Sequence, residues 1–221
     1  MKIKVCGMKH AENIQTVLAL QPDFMGFIFY PKSKRFVGDS LELITQINFP
    51  ATVQKVGVFV NETTEKILFY HEKMDFQLIQ LHGEESPEQC AELKNKGLKI
   101  IKAISTAKGG DFSHAIAYEP VCDFFLFDTP TEAYGGSGIK FDWSVLDNYH
   151  GALPFFLSGG IGLDDLDAVK AFKHPKLFAL DVNSKFEIEP ALKNVEMLSS
   201  LFKLQSPITQ NIPNAPNTQK T

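Results

Sequence analysis

Residues 53–104 read VQKVGVFVNETTEKILFYHEKMDFQLIQLHGEESPEQCAELKNKGLKIIKAI, and the fold is decided here. Three short runs rich in β-branched and aromatic residues, Val53–Val60, Phe76–Leu81 and Leu98–Ile104, are separated by two amphipathic segments, Thr64–His71 and Pro87–Lys96. Such alternation argues for parallel strands joined by crossover helices. The same cycle continues outward in both directions. Strands are expected at Ile3–Cys6 and Phe24–Phe29 before the stretch, and at Phe124–Asp128, Leu153–Leu157 and Leu177–Asp181 after it. Helices are expected at Glu12–Leu20 and Ala191–Leu204, with a short, weakly patterned one at Asp111–Tyr118. Eight strand–helix cycles predict an α/β fold, a (β/α)8 (TIM) barrel formed as a single domain by residues 1–204. Residues 205–221 are too polar and too interrupted by proline to pack, and are expected to form a disordered tail.

Composition excludes several classes of function. A chain of 221 residues is long enough for one sizeable core, and 44% hydrophobic with 22% charged residues is the balance of an ordinary soluble domain. The formal charge of −4, without a basic block, offers no footprint for nucleic acid. No apolar run approaches the roughly 20 residues that cross a bilayer, so no membrane partner is expected. The N-terminal apolar residues are interrupted too soon for a signal-peptide core. Cys6, Cys90 and Cys122 are odd in number, widely spaced and without zinc-ligand spacing. Reduced thiols, a cytoplasmic location and no metal are the expectation.

In a (β/α)8 barrel the active site lies where strands end and the next loops begin. Taken in chain order, those ends carry Cys6-Gly7, Arg35 in the second loop, Asn61, Gln80-Leu81-His82-Gly83, Asp128, Ser158-Gly159-Gly160 and Asp181. Side chains two apart on a strand share a face, so Lys4 and Cys6 point inward together while Ile3 and Val5 meet the helices. A lysine beside the thiol is expected to lower its pKa, which makes Cys6 a candidate base. A strand-end cysteine also serves simply as a small buried hydrophobe. Phe124, Leu126 and Asp128 share a face, which brings Asp128 to the inner rim as a candidate acid, or as a cap for the next helix.

Two glycine clusters point to phosphate. Gly135-Gly136-Ser137-Gly138 in the sixth loop and Ser158-Gly159-Gly160 after the seventh strand can turn backbone N–H groups toward an anion. Asp181-Val182-Asn183-Ser184 comes next, in the eighth loop, where this fold usually seats phosphate. Together they make Gly136, Gly138, Ser158, Gly159, Gly160, Asp181, Asn183 and Ser184 the candidates for a phosphate-bearing sugar, the alternative being ordinary turn glycines. The basic run Lys32-Ser33-Lys34-Arg35 offers a guanidinium for a carboxylate, or a merely solvated loop. His82 and Gln80 share inward parity as supporting residues.

Ordered motifs carry a family resemblance. Lys4-Val5-Cys6-Gly7, Phe29-Tyr30-Pro31-Lys32-Ser33-Lys34-Arg35, Val56-Gly57-Val58-Phe59-Val60-Asn61, Gln80-Leu81-His82-Gly83-Glu84-Glu85, Phe127-Asp128-Thr129, Gly135-Gly136-Ser137-Gly138 with Phe141-Asp142-Trp143, Ser158-Gly159-Gly160 and Leu180-Asp181-Val182-Asn183-Ser184 resemble phosphoribosylanthranilate isomerases from about Lys2 to Leu204. The resemblance implies an Amadori rearrangement of N-(5-phosphoribosyl)anthranilate in tryptophan biosynthesis, a small-molecule phosphoribosyl substrate and no cofactor. It implies Asp128 as general acid, Cys6 as general base and Arg35 as the partner of the anthranilate carboxylate. Two positions depart from the family pattern: Lys185 stands where glycine is common, and Asn183 where serine is usual. Lys185 can reach phosphate or solvent.

Other readings have discriminating features. The related histidine-pathway isomerase resembles a design with a carboxylate at the position of Cys6. A Schiff-base aldolase would need a desolvated lysine, for which Lys102 is the strand candidate besides Lys4. A phosphosugar-binding module without turnover would lack the acid and base. Monomer and homodimer are equally compatible with the sequence.

Overall fold

The computed structural model describes residues 1–106, 110–128 and 142–203. Eight parallel strands close into a barrel in sequence order: β1 (Lys2–Val5), β2 (Phe24–Ile28), β3 (Gln54–Phe59), β4 (Leu78–Leu81), β5 (Lys99–Ser105), β6 (Phe124–Asp128), β7 (Phe155–Leu157) and β8 (Leu177–Val182). Closure rests on β8 pairing back to β1, with Lys2 opposite Ala179 and Lys4 opposite Asp181. Every expected strand forms. β7 starts at Phe155 rather than Leu153, because Pro154 has no N–H for the ladder and contributes its carbonyl to Phe125 N at 3.1 Å.

The period-two pattern separates two cores. Val56, Val58, Leu78, Ile101, Leu126, Phe156 and Ala179 fill the barrel interior beside Cys6. Ile3, Val5, Met25, Phe27, Ile79, Ile100, Phe125 and Leu180 face outward into the layer shared with the helices. Phe24, Phe124, Phe156 and Phe178 meet inside, with ring centroids 4.7–6.0 Å apart. Phe24 and Phe124 are the first residues of their strands, so these rings plug the N-terminal end of the barrel and leave polar side chains to its other mouth.

The helices are α1 (Ala11–Leu18), α2 (Leu41–Thr45), α3 (Thr64–Met74), α4 (Pro87–Asn95), α5 (Leu166–Ala171) and α6 (Val195–Lys203). Thr63 and Ser86 accept from Lys66 N and Gln89 N, each at 3.4 Å, and Pro87 occupies the first turn of α4, so both starts are written locally. The short segment expected at 111–118 forms as a 3-10 helix, Ser113–Tyr118. The last helix begins at Val195 rather than Ala191. The intervening residues form an antiparallel hairpin, β9 (Glu187–Glu189) with β10 (Leu192–Lys193), from which Glu187 and Lys193 turn toward the barrel mouth. The tail assigned to 205–221 lies outside the described residues. No described helix is long and apolar enough to cross a membrane.

Candidate active site

A pocket opens at the C-terminal ends of the strands, with about 740 Å3 of space when the part open to solvent is counted. Cys6, Arg35, Asp128, Ser158, Gly159, Gly160, Asp181, Asn183 and Ser184 all line it, as do Gln80, His82 and Lys185. Residues far apart in the chain thus share a single cavity. Gly136 and Gly138 lie outside the described residues.

Cys6 directly succeeds β1 and is held by its own N–H, which donates to Val182 O at 2.9 Å. Gly26 makes room for it, since a Cβ there would come within 2.8 Å of the sulfur. Gly7 is fixed for two reasons: its φ is +76°, and a Cβ would approach both Arg35 Cδ and Asn183 Oδ1 to 2.7 Å. Lys4 points inward as expected, yet its partner is Asp181, 2.8 Å away and opposite it in register. Burial opposes the charge on Lys4, but Asp181 and Cys6 outweigh it and hold the ammonium above its ordinary value.

This pairing corrects the expected effect on the thiol. Burial pushes Cys6 up, Lys4 pulls it down, Asp181 pushes it up again and Lys193 pulls it down; the outcome is a pKa above the ordinary thiol value, not below it. Lys4 brings its own counter-ion, so much of its field at the sulfur is cancelled, and the desolvated barrel interior disfavours the thiolate.

Asp181 is similarly engaged. Besides Lys4 it accepts from Ser158 Oγ at 3.4 Å. Asp181 therefore orders the seventh and eighth strand ends rather than presenting donors to an anion. Gly159 and Gly160 adopt φ of +96° and +66°, the left-handed backbone that lets successive N–H groups turn into the mouth.

On the far side, Asp128 ends β6, and its Oδ2 lies 3.4 Å from Nε2 of His82. Gln80 Nε2 is 2.7 Å from His82 Nδ1. A proton on His82 Nε2 is the tautomer in which both contacts are hydrogen bonds. Lys102, the alternative Schiff-base residue, is fully engaged: it donates to Gly83 O at 2.6 Å, Glu85 Oε2 at 3.0 Å and Leu81 O at 3.4 Å. Glu85 in turn accepts from Asn61 N at 2.8 Å and Gly83 N at 2.9 Å. Lys102 thus fastens the loop that carries His82 and does not line the pocket.

Arg35 has a protein partner that its place in a basic run does not foretell. Its Nε and Nη2 donate to the two carboxylate oxygens of Glu187, at 2.9 and 2.6 Å. Glu187 Oε1 also accepts from Lys193 Nζ at 2.6 Å, and Lys193 donates to Asn183 Oδ1 at 2.6 Å. Burial pushes Glu187 up, but Arg35 and Lys193 bring it below the usual carboxylate range; for Lys193 burial prevails over Glu187 and lowers it. Sequence reasoning misses Glu187 and Lys193 because neither sits at a barrel-strand end or in a motif; both lie in a hairpin with no strand-like alternation. Asn183, one of the two departures from the family pattern, is the residue that receives Lys193.

The model of the family described as "N-(5'phosphoribosyl)anthranilate (PRA) isomerase" matches residues 3–204. An N-(5'-phosphoribosyl)anthranilate isomerase of Parabacteroides distasonis is 45% identical over 204 residues, 92% of each chain. The crystal structure of phosphoribosyl anthranilate isomerase from Thermotoga maritima superposes with a TM-score of 0.79 at 33% identity, covering 92% of this chain and 98% of that one. Another solved structure, with a TM-score of 0.76 at 30% identity and coverage of 92% and 97%, is a phosphoribosyl anthranilate isomerase in complex with reduced 1-(o-carboxyphenylamino)-1-deoxyribulose 5-phosphate.

Proposed function

The chain belongs to the N-(5'-phosphoribosyl)anthranilate isomerase family, an aldose–ketose isomerase of tryptophan biosynthesis, and from that premise we propose how its own residues divide the work. The reaction is the Amadori rearrangement of N-(5-phosphoribosyl)anthranilate to 1-(2-carboxyphenylamino)-1-deoxyribulose 5-phosphate. Asp128, protonated, donates to the furanose ring oxygen, and the ring opens to a Schiff base. That iminium acidifies the neighbouring sugar carbon, from which Cys6, as thiolate, takes a proton. The enolamine then tautomerises to the ketone.

The observation that carries this division is the placement of Cys6 and Asp128 on one mouth, at the ends of β1 and β6, with β7 and β8 between them on the shorter path round the barrel. An acid and a base so separated can address different atoms of one sugar. Gly159, Gly160 and Ser184 lie on the intervening strand ends, where they hold the phosphate as a remote anchor, and Gly136 and Gly138 are assigned to the same role from sequence alone. Arg35 meets the anthranilate carboxylate. A raised thiol pKa favours neutral Cys6, so the active base is the minor thiolate, formed by release of the thiol proton to solvent in the open pocket before substrate settles. The three cysteines are free, which suits a cytoplasmic enzyme acting on a small phosphoribosyl substrate as monomer or homodimer.

Conversion of freshly generated N-(5-phosphoribosyl)anthranilate, tracked by loss of its fluorescence, tests the assignment. Cys6→Ala and Asp128→Asn should each lower kcat by about 10²–10⁴-fold while the fold persists. A variant retaining wild-type turnover removes that residue from the chemistry.

A further inference from the structure

The Arg35–Glu187 contact is built in a way that a solvated basic loop would not be. The guanidinium donates through Nε and Nη2, side-on, to both oxygens of a carboxylate that is itself only 4% exposed. The same carboxylate is tied by Lys193, fully buried, and by Ala191 N at 3.1 Å. Lys193 is tied in turn to Asn183 in the eighth loop, and its N–H donates to Asn13 of α1 at 2.8 Å. Glu187 is therefore a fixed strut joining the second loop, the eighth loop and the β9–β10 hairpin.

A guanidinium has two kinds of edge that accept a carboxylate in bidentate fashion, one side-on through Nε and one Nη, the other end-on through both Nη atoms. Glu187 occupies the first. Arg35 lines the pocket, so the end-on edge is the one left to a ligand carboxylate. The charges agree: Arg35 and Lys193 are positive and Glu187 negative, a sum of one positive charge that a single carboxylate neutralises.

We propose that Glu187 is the positioning and specificity residue for the carboxylate arm of the substrate: it turns Arg35 to present its end-on edge and leaves the site short of one negative charge. This rests on the reading that Arg35 meets the anthranilate carboxylate. Without Glu187 the guanidinium keeps its charge but loses its orientation, so the loss falls on binding of the carboxylate rather than on the acid and base.

The test compares Glu187→Gln, and the charge-balanced pair Glu187→Gln with Lys193→Met should the first fail to fold, with Arg35→Gln. KM for N-(5-phosphoribosyl)anthranilate should rise about tenfold in the Glu187 variants, more than kcat falls. The inhibition constant of inorganic phosphate, which has no carboxylate to place, should stay within about twofold. A merely structural strut would weaken both together, so KM and the phosphate constant rising in step overturns the proposal, as does an unchanged KM. If KM rises in Arg35→Gln but not in the Glu187 variants, only the role of Glu187 fails. If KM is unchanged in Arg35→Gln, the carboxylate reading fails and the proposal with it.

Discussion

The two sides of the barrel mouth solve the problem of buried charge differently. On the β1–β8 side, Lys4–Asp181 and Arg35–Glu187–Lys193 surround Cys6, and burial and these charges act on the thiol in opposing directions. On the β4–β6 side, the buried pair Lys102–Glu85 is spent on the loop backbone, while Asp128 receives a long contact from His82 and retains part of its exposure. One side uses ion pairs to set the field at the proposed base, the other to hold a loop. Similar buried pairs thus do unequal work, decided by what stands next to each.

That contrast can be broken by removing one lysine from each side. Lys4→Met leaves Asp181 buried without its cation, and Lys102→Met leaves Glu85 likewise; each should cost about 3–5 kcal/mol in urea unfolding. The lesions should differ in activity. Lys4→Met should move the pH dependence of kcat/KM to higher pH, because the largest influence lowering the thiol pKa is gone. Lys102→Met should leave that dependence in place in the folded fraction. Identical pH profiles would erase the distinction between the two sides.

The wild-type profile sharpens the same point. With the Cys6 pKa above the ordinary thiol value, the thiolate fraction rises with pH throughout the neutral range. The rate of Cys6 alkylation by iodoacetamide, which follows the thiolate alone, should therefore climb about tenfold per pH unit and level off only above the ordinary thiol range. An alkylation rate that flattens near neutral pH would mean that the surroundings of Cys6 differ from those described. The smallest effect is expected for His82→Asn, which removes the contact to Asp128: about tenfold in kcat, the size of one charge-assisted hydrogen bond. A loss matching that of Asp128→Asn would instead make His82 part of the acid.

Much of this was legible in residue order. The inward parity of Lys4, Cys6 and Asp128 came from the two-residue strand period, and their arrival at one mouth from the rule that (β/α)8 barrels react at their C-terminal strand ends. Helix starts at Thr63 and Ser86 could be read from capping residues. The hairpin at 187–193 could not, since Glu187-Ile188-Glu189-Pro190-Ala191-Leu192-Lys193 is too short for a strand period to stand out and runs into a good helix pattern. The sign of the shift at Cys6 is not legible in residue order, because the field of Lys4 depends on a residue 177 positions away.

Eight strands, the face each side chain takes and the candidate reactive groups are written in residue order, because strand pattern and parity depend on neighbours within a few residues. Partnership was decided only by closure of the barrel. Parallel pairing of β1 with β8 sets Lys4 directly opposite Asp181, and the hairpin folds back to bring Glu187 to Arg35 across 152 residues. Electrostatics acts through space over a few ångströms, so the charge felt at Cys6 and the orientation of Arg35 became definite only when the first and last strands met.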